Sequence, residues 1–225
     1  SSLVDTKYIS SSFFMDTYTL AEQKILKKLT LPSKIQDFLE TLAINFEARG
    51  ETCMSPRKVL HTGRAHCMEG ALFAAAALEF HGYAPLVMDL RAQRPDYDHV
   101  VAVFKMRGCF GAISKTNHAV LRYREPVYKT LRELALSYFH EYFTDNGHKT
   151  LREYSILVNL NRFNKLSWRT SKEDLWDIPH TLDAVKHFEL VSPGTRKYLR
   201  KADEIEIAAG KLVAWRLVKN KARKV

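Results

Sequence analysis

The sequence predicts an α+β fold, a central helix packed on an antiparallel sheet with extra helices flanking it, and three observations carry that reading. Residues 67–81 are apolar on nearly every side of a helical projection, which places this helix inside the protein. Two β-rich runs follow, 85–90 and 99–105, and a third, 110–114, returns through the short Met106-Arg-Gly-Cys109 loop as an antiparallel neighbour. Ahead of the central helix lie two amphipathic helical patterns, bounded by proline and glycine.

Taken in order, Thr19 and Glu22 form a capping box, and Ile25, Leu26 and Leu29 continue at helical spacing until Pro32 stops the run. Ser33 opens a second helix, in which Ile35, Phe38, Leu39, Leu42 and Phe46 recur on one face up to Gly50. In the central helix the alanines at 74–77 permit close approach of neighbours, Leu72, Phe73, Leu78 and Phe80 fill the spaces between elements, and Gly82 supplies a left-handed stop. Residues 91–97 read as a polar turn. Further on, 130–143 and 150–160 read as helices separated by Asp145-Asn-Gly147, and 164–180, with Trp168, Trp176 and Pro179, as a packed connector. The segment 205–218 fits a basic helix or a strand hairpin equally well. The expected organisation is a helical cover at 1–54, a core at 55–160, and a connector with a basic extension at 161–225, packed on or beside the core.

With 225 residues the chain is long enough to bury about 70% of its unfolded surface without cross-links. Cys53, Cys67 and Cys109 are an odd number of thiols without CxxC spacing, which argues against a disulfide framework and for a reducing, cytoplasmic setting. Cys53 and Cys109 read as structural. His66, His81, His118 and His140 do not fall at ligand spacings, so no metal is assigned. The longest apolar run, 71–78, falls short of the roughly 18 residues of a membrane span, and 1–20 lacks the basic-then-apolar pattern of a secretory signal. No membrane partner is expected. The formal net charge is +10, and ten Lys or Arg lie between Arg196 and Lys224 against Asp203, Glu204 and Glu206. A charged run of this kind is first a solvated face; no zinc-finger, RRM-type or helix-turn-helix signature accompanies it, so nucleic-acid binding is the lesser alternative.

Cys67 draws attention through its position. A thiol where a helix begins meets unpaired backbone amides and the positive end of the helix dipole, and an imidazole nearby lowers its pKa further. By residue type alone a cysteine is a small buried hydrophobe. Its setting is Gly63-Arg-Ala-His-Cys-Met-Glu-Gly-Ala71, followed by Gly82-Tyr-Ala-Pro-Leu-Val87 and Asp98-His-Val-Val-Ala-Val103. In that order, these motifs resemble the transglutaminase-like superfamily of papain-like cysteine enzymes over residues 55–118.

The resemblance implies a papain-like core in which Cys67 is the nucleophile and His99 its general base and later general acid, with an acidic or amide residue on the next strand orienting the imidazole. It implies no cofactor. At the orienting position, four residues after Phe110, this chain has Ser114, whose hydroxyl can accept the imidazole hydrogen bond but brings no charge. Asn117, Asp96 and Asp98 are the substitutes, Asn117 being nearest in chain order, whereas Asp98 would point to the opposite face from His99. The Cys67 N–H is a natural oxyanion donor, and His61 a speculative second one. His66 is grouped with these substrate-side residues. Arg64 would draw in an anionic substrate or face solvent, His118 lies close enough to Asn117 to be a pocket residue, and Glu69 reads as structural unless it turns toward Cys67, where it would raise the thiol pKa. The implied function is cysteine-dependent acyl transfer or amide hydrolysis on a peptide or protein substrate. The alternative is a catalytically weakened scaffold of the same fold that binds a protein or an acidic partner. Oligomeric state is not legible.

Overall fold

The computed structural model describes residues 17–216. Helix α1 (Leu20–Leu26) starts at Thr19, whose hydroxyl accepts from the Glu22 amide while the Glu22 carboxylate accepts from Thr19 N–H. Helix α2 (Pro32–Thr41) has Pro32 at its first turn, where a missing N–H costs nothing. It does not run on to Gly50 as the periodicity suggests. Leu42 turns extended and Ala43–Ile44 form β1, with Ala43 N–H donating to the Gly63 carbonyl and the following Asn45 N–H to the Ala65 carbonyl, so Phe46 lies outside any helix. Helix α3 (Pro56–Thr62), which the sequence reading left unassigned, is capped by Ser55 and closed by Gly63 at φ +64. It leads into β2 (Arg64–Ala65), parallel to β1, and then α4 (Cys67–Phe80), the central helix. Gly82, at φ +86, follows α4 in the left-handed conformation.

Next come β3 (Leu86–Ala92), β4 (His99–Met106), β5 (Cys109–Ile113) and β6 (Arg124–Tyr128). The β4–β5 hairpin has Arg107 and Gly108 as its two loop residues, both at positive φ, the geometry that matches strand twist. The chain continues through α5 (Leu131–Leu136), a 3-10 turn (Phe139–Glu141), β7 (Leu151–Ser155), β8 (Val158–Asn159), a 3-10 segment (Leu160–Leu166), α6 (Asp177–Ala184), β9 (His187–Glu189), α7 (Pro193–Arg196) and α8 (Glu204–Gly210). The strands β6-β5-β4-β3-β7-β9 hydrogen-bond in that order, all antiparallel, with β8 also on β3. The chain therefore has an α+β architecture in which α4 packs on one face of an antiparallel sheet. Val87, Val100, Ala102 and Phe104 pack with α4, and the alternate residues Met88, Val101 and Val103 pack with Leu134, Ala135 and Tyr138 on the other face.

Several expectations change. Residues 150–160 form strands, not a helix. Leu151 and Tyr154 are both buried three residues apart, which imitates helical spacing, because the β3–β7 register shifts between Arg91 and Ala92 and breaks the two-residue alternation. The helical stretch expected at 130–143 shortens to α5 and one 3-10 turn. Within the connector, Trp168 is fully buried and Arg169 makes a bidentate pair with Glu79 at 2.6 Å, tying this segment to the last turns of α4. The extension supplies β9 to the sheet, and 205–218 resolves into α8 and a segment that hydrogen-bonds residues 117 and 119; residues 217 and 218 lie outside the described region. Ser1–Asp16, on which the leader reading rests, and Lys219, Lys221, Arg223 and Lys224 of the basic tail also lie outside it. Among the described residues no helix is long and apolar enough to cross a membrane, and no group of three or more His, Cys, Asp or Glu could hold a metal ion.

The fit of α4 against its surroundings is tightest at Gly70. A Cβ there would stand 2.3 Å from Lys115 Cβ, and Lys115 cannot swing aside because its ammonium donates to the Leu39 and Leu42 carbonyls at the end of α2. Alanine is favoured over glycine in a helix by ~1 kcal/mol, but overpacking costs about 1–3 kcal/mol. Gly70→Ala is therefore expected to lower stability in urea unfolding, against helix propensity, while Gly194→Ala, which meets nothing within 4 Å, leaves the midpoint within experimental scatter.

Candidate functional site

The N-terminus of α4 is fixed by Glu69, whose side chain is fully buried. Its carboxyl accepts hydrogen bonds from Asn45 Nδ2, Thr52 Oγ1 at 2.7 Å, Met54 N–H at 3.1 Å and His66 N–H at 3.0 Å. The group thus reaches back to the residue before the helix and ties the 45–54 loop to its first turn. It is occupied with these donors, as the structural reading of Glu69 expected.

Cys67 is the first residue of α4 and is half-buried at one wall of an open cleft of about 200 Å³, lined by Ile44, His66, His99, Lys115, Thr116 and Asn117. Burial alone would push its thiol up, but hydrogen bonds from the imidazoles of His66 and His99, and their positive charge, hold it down at about 5 from an ordinary 9.0. Burial likewise disfavours charge on His66, yet the hydrogen bond and charge of Cys67, with Glu69 behind, raise His66 from 6.5 to about 9. Both shifts favour a thiolate on Cys67 and an imidazolium on His66. By contrast, the buried Cys53 is pushed up to about 12 by desolvation.

The two rings are anchored alike. His99, the first residue of β4, has its Nε2 2.7 Å from Ser114 Oγ, and the Ser114 hydroxyl donates to the Leu121 carbonyl. With its proton committed there, the serine oxygen accepts from His99 Nε2–H, which leaves Nδ1 for the sulfur. His66 Nε2 lies 2.9 Å from the Thr52 carbonyl, an acceptor only, so this ring too carries its proton on Nε2 and turns Nδ1 to the thiol. Around Nε2 of His66 stand Glu69 at 3.4 Å and Glu47 at 3.6 Å.

Ser114 is itself held by Gln36 of α2. The Gln36 amide accepts from Ser114 N–H at 3.0 Å and donates to Ser114 C=O at 2.8 Å. Leu121 sits at φ +59, a conformation that costs a non-glycine residue about 1–2 kcal/mol, and its N–H donates to Glu141, which is paired with Arg124 at 2.7 Å. Gln36, Leu121 and Glu141 carry no sequence signal for this role, because each reaches the site only through tertiary contact.

The remaining sequence candidates divide. Asn117 lines the cleft but does not orient the imidazole: its side chain accepts from Trp215 N–H at 2.8 Å and donates to Trp215 C=O at 3.0 Å, pinning the C-terminal segment. His61, read as a second oxyanion donor, is not among the residues that line the cleft. It projects from α3 with 65% of its side chain exposed, 3.6 Å from Glu22, because the left-handed turn at Gly63 separates α3 from α4. Arg64 is exposed on β2 and does not line the cleft. His66 is in the site, as a partner of the thiol. Asp98 accepts from Ala92 N–H and Asp96 from the Thr150 hydroxyl, both within the β3–β4 connection, and neither serves His99. His118 lies 2.9 Å from the Gly210 carbonyl through Nδ1 and stays off the cleft. Lys115 lines the cleft, its ammonium committed to the Leu39 and Leu42 carbonyls. Compared with known proteins, the chain matches no family model and no curated sequence.

Two expectations follow. Alkylation of the folded protein by iodoacetamide should map to Cys67, with a rate that rises through pH 5 rather than pH 9, since the thiolate forms as pH climbs past the lowered pKa. His66→Ala and His99→Ala should each move that midpoint upward. The linked stability has two signs: the thiolate's share is complete above the unfolded value of 9.0 and lost as pH falls through about 5, and the imidazolium's is complete below 6.5 and lost as pH rises through about 9. Secondly, Glu69→Gln places an amide donor against a ring of donors and should cost about 1–3 kcal/mol in denaturant unfolding, with slower Cys67 alkylation as the start of α4 loosens.

Proposed function

We propose that this protein is a cysteine-dependent enzyme of the transglutaminase-like, papain-like kind, which transfers or hydrolyses the acyl group of an amide in a peptide or protein. The observation that carries the reading is a thiolate at a helix N-terminus, flanked by two imidazoles that both turn Nδ1 toward it, in a cleft open to solvent. The antiparallel sheet against α4 and the order of Cys67, His99 and Ser114 along the chain support it.

In the proposed reaction the thiol proton is held on His99 Nδ1 and the Cys67 thiolate attacks the carbonyl carbon, giving a tetrahedral oxyanion beside the Cys67 N–H in the first turn of α4. His99, aligned by Ser114, delivers a proton from Nδ1 to the leaving nitrogen as the C–N bond breaks, which leaves a thioester on Cys67. Water or an amine then attacks the thioester, His99 takes its proton, and the thiolate departs. His66 remains the counter-ion of the sulfur in both halves.

The test is acyl-enzyme formation, read by intact-protein mass after mixing with p-nitrophenyl acetate and, separately, with a glutaminyl peptide and a primary amine. The wild type should acquire one acyl group at Cys67, Cys67→Ala none, and His99→Ala should slow acylation about 10²–10⁴-fold. Ser114→Ala should slow it about tenfold, the scale of one orienting hydrogen bond, and depress kcat more than it changes KM. A wild type that forms no acyl-enzyme, or one whose rate survives His99→Ala, overturns the reading in favour of a binding scaffold, for which the neutral Ser114 is the motive.

A further inference from the structure

A second cleft, of about 400 Å³, shares no lining residue with the first, and no Asp or Glu lines it. Six cationic side chains converge on it from three separate stretches: Arg94 from the β3–β4 connection, Lys149 and Arg152 from the approach to β7 and β7 itself, and Arg196, Arg200 and Lys201 from the region after β9. We propose that this cleft binds the phosphate groups of a small, multiply charged ligand.

The charges are only partly compensated from within. Arg196 pairs with Glu189 at 3.2 Å, Arg200 with Asp203 at 2.5 Å, and Lys149 lies 3.6 Å from Glu206. Arg94, Arg152 and Lys201 have no carboxylate partner among the described residues. Arg152 is the most informative of these. Its Nε and Nη2 donate to Gln93 Oε1 at 3.0 and 2.7 Å, Nη1 donates to the Leu151 carbonyl, and Nη2 also donates to the Lys149 carbonyl. All of these acceptors are neutral. They fix the guanidinium in place and leave its charge whole, while burial and the nearby Arg196 hold it below its usual pKa.

Guanidinium groups held near one another with only part of their charge paired cost electrostatic free energy, and the cleft they line opens to solvent. An anion with several oxygens relieves the repulsion of more than one cation at once, and the planar fork of arginine suits phosphate oxygens. The volume falls in the range of small-ligand sites, and the cations line one cleft rather than a stripe that tracks a polymer backbone.

The probe is inorganic tripolyphosphate, titrated calorimetrically into the full chain at low and at physiological salt. One saturable site is expected, weakened about tenfold or more by the double substitution Arg94→Ala and Lys201→Ala, whose side chains are exposed and make no ion pair among the described residues, so folding is not at stake. Arg152→Gln should weaken binding too, and Cys67→Ala should leave it unchanged, which keeps this result separate from that of the thiol chemistry. Absence of saturable binding at physiological salt, or equal affinity in the double variant, overturns the proposal. So does tighter binding of single-stranded RNA with a steeper salt dependence, which would mark a polymer surface.

Discussion

Glu69 sits under the first turn of α4 with both oxygens engaged, and the hydrogen bonds it accepts from Asn45, Thr52, Met54 and His66 decide where that helix begins. The consequence reaches the sulfur directly. The residue before the helix is held by its own N–H, the next residue is Cys67, and the loop carrying Thr52 is drawn in so that its carbonyl meets the His66 ring. One buried side chain therefore sets the thiol, one of its two imidazoles and the wall behind them. The reactive end of α4 would otherwise be its least constrained part, since the first turn of any helix lacks intrahelical partners for its amides.

The neutral residue at the orienting position changes how charge is distributed. In the arrangement that the sequence motifs resemble, an acidic or amide residue on the strand orients the imidazole from behind. Here the His99 ring leans on a hydroxyl whose proton is committed to Leu121, so its orientation is fixed without a counter-charge. The carboxylates stand behind the other ring, where Glu69 and Glu47 flank His66 Nε2. Under the proposed reaction this divides the work: His66 stays a cation that keeps the sulfur as thiolate, and His99, held by a neutral acceptor, is the ring that exchanges a proton with the substrate.

What could be read from the sequence depended on the range of the interactions involved. The central helix, the three strands after it and the β4–β5 hairpin are specified locally, by an apolar run, by valine-rich β runs and by Arg107-Gly108, and these place Cys67, His99 and Ser114 in order. Strand β7 was hidden by a register shift that lives in the pairing of two strands, and β9 by its length of three residues. The same limit applies to the site. Chain order ranked Asn117 beside Ser114, but its amide is claimed by Trp215, 98 residues on, and Ser114 is framed by Gln36, 78 residues back. His66 was visible as the neighbour of Cys67. Its role was not, because it turns on where the Thr52 carbonyl lies after folding.

His99 opens its strand, and strand ends fray unless something beyond the sheet ladder holds them. The connection before it is pinned at three points: Asp98 accepts from Ala92 N–H, Asp96 accepts from the Thr150 hydroxyl, and the Tyr142 hydroxyl donates to the Tyr97 carbonyl. On the other side, Leu90 pairs with His99 across β3 and β4. The acids that chain order nominated as partners of the imidazole thus act on its backbone instead. They stiffen the six-residue excursion 93–98 so that the ring arrives at the sulfur already placed, and the entropy of ordering it is met during folding rather than at each encounter with a substrate.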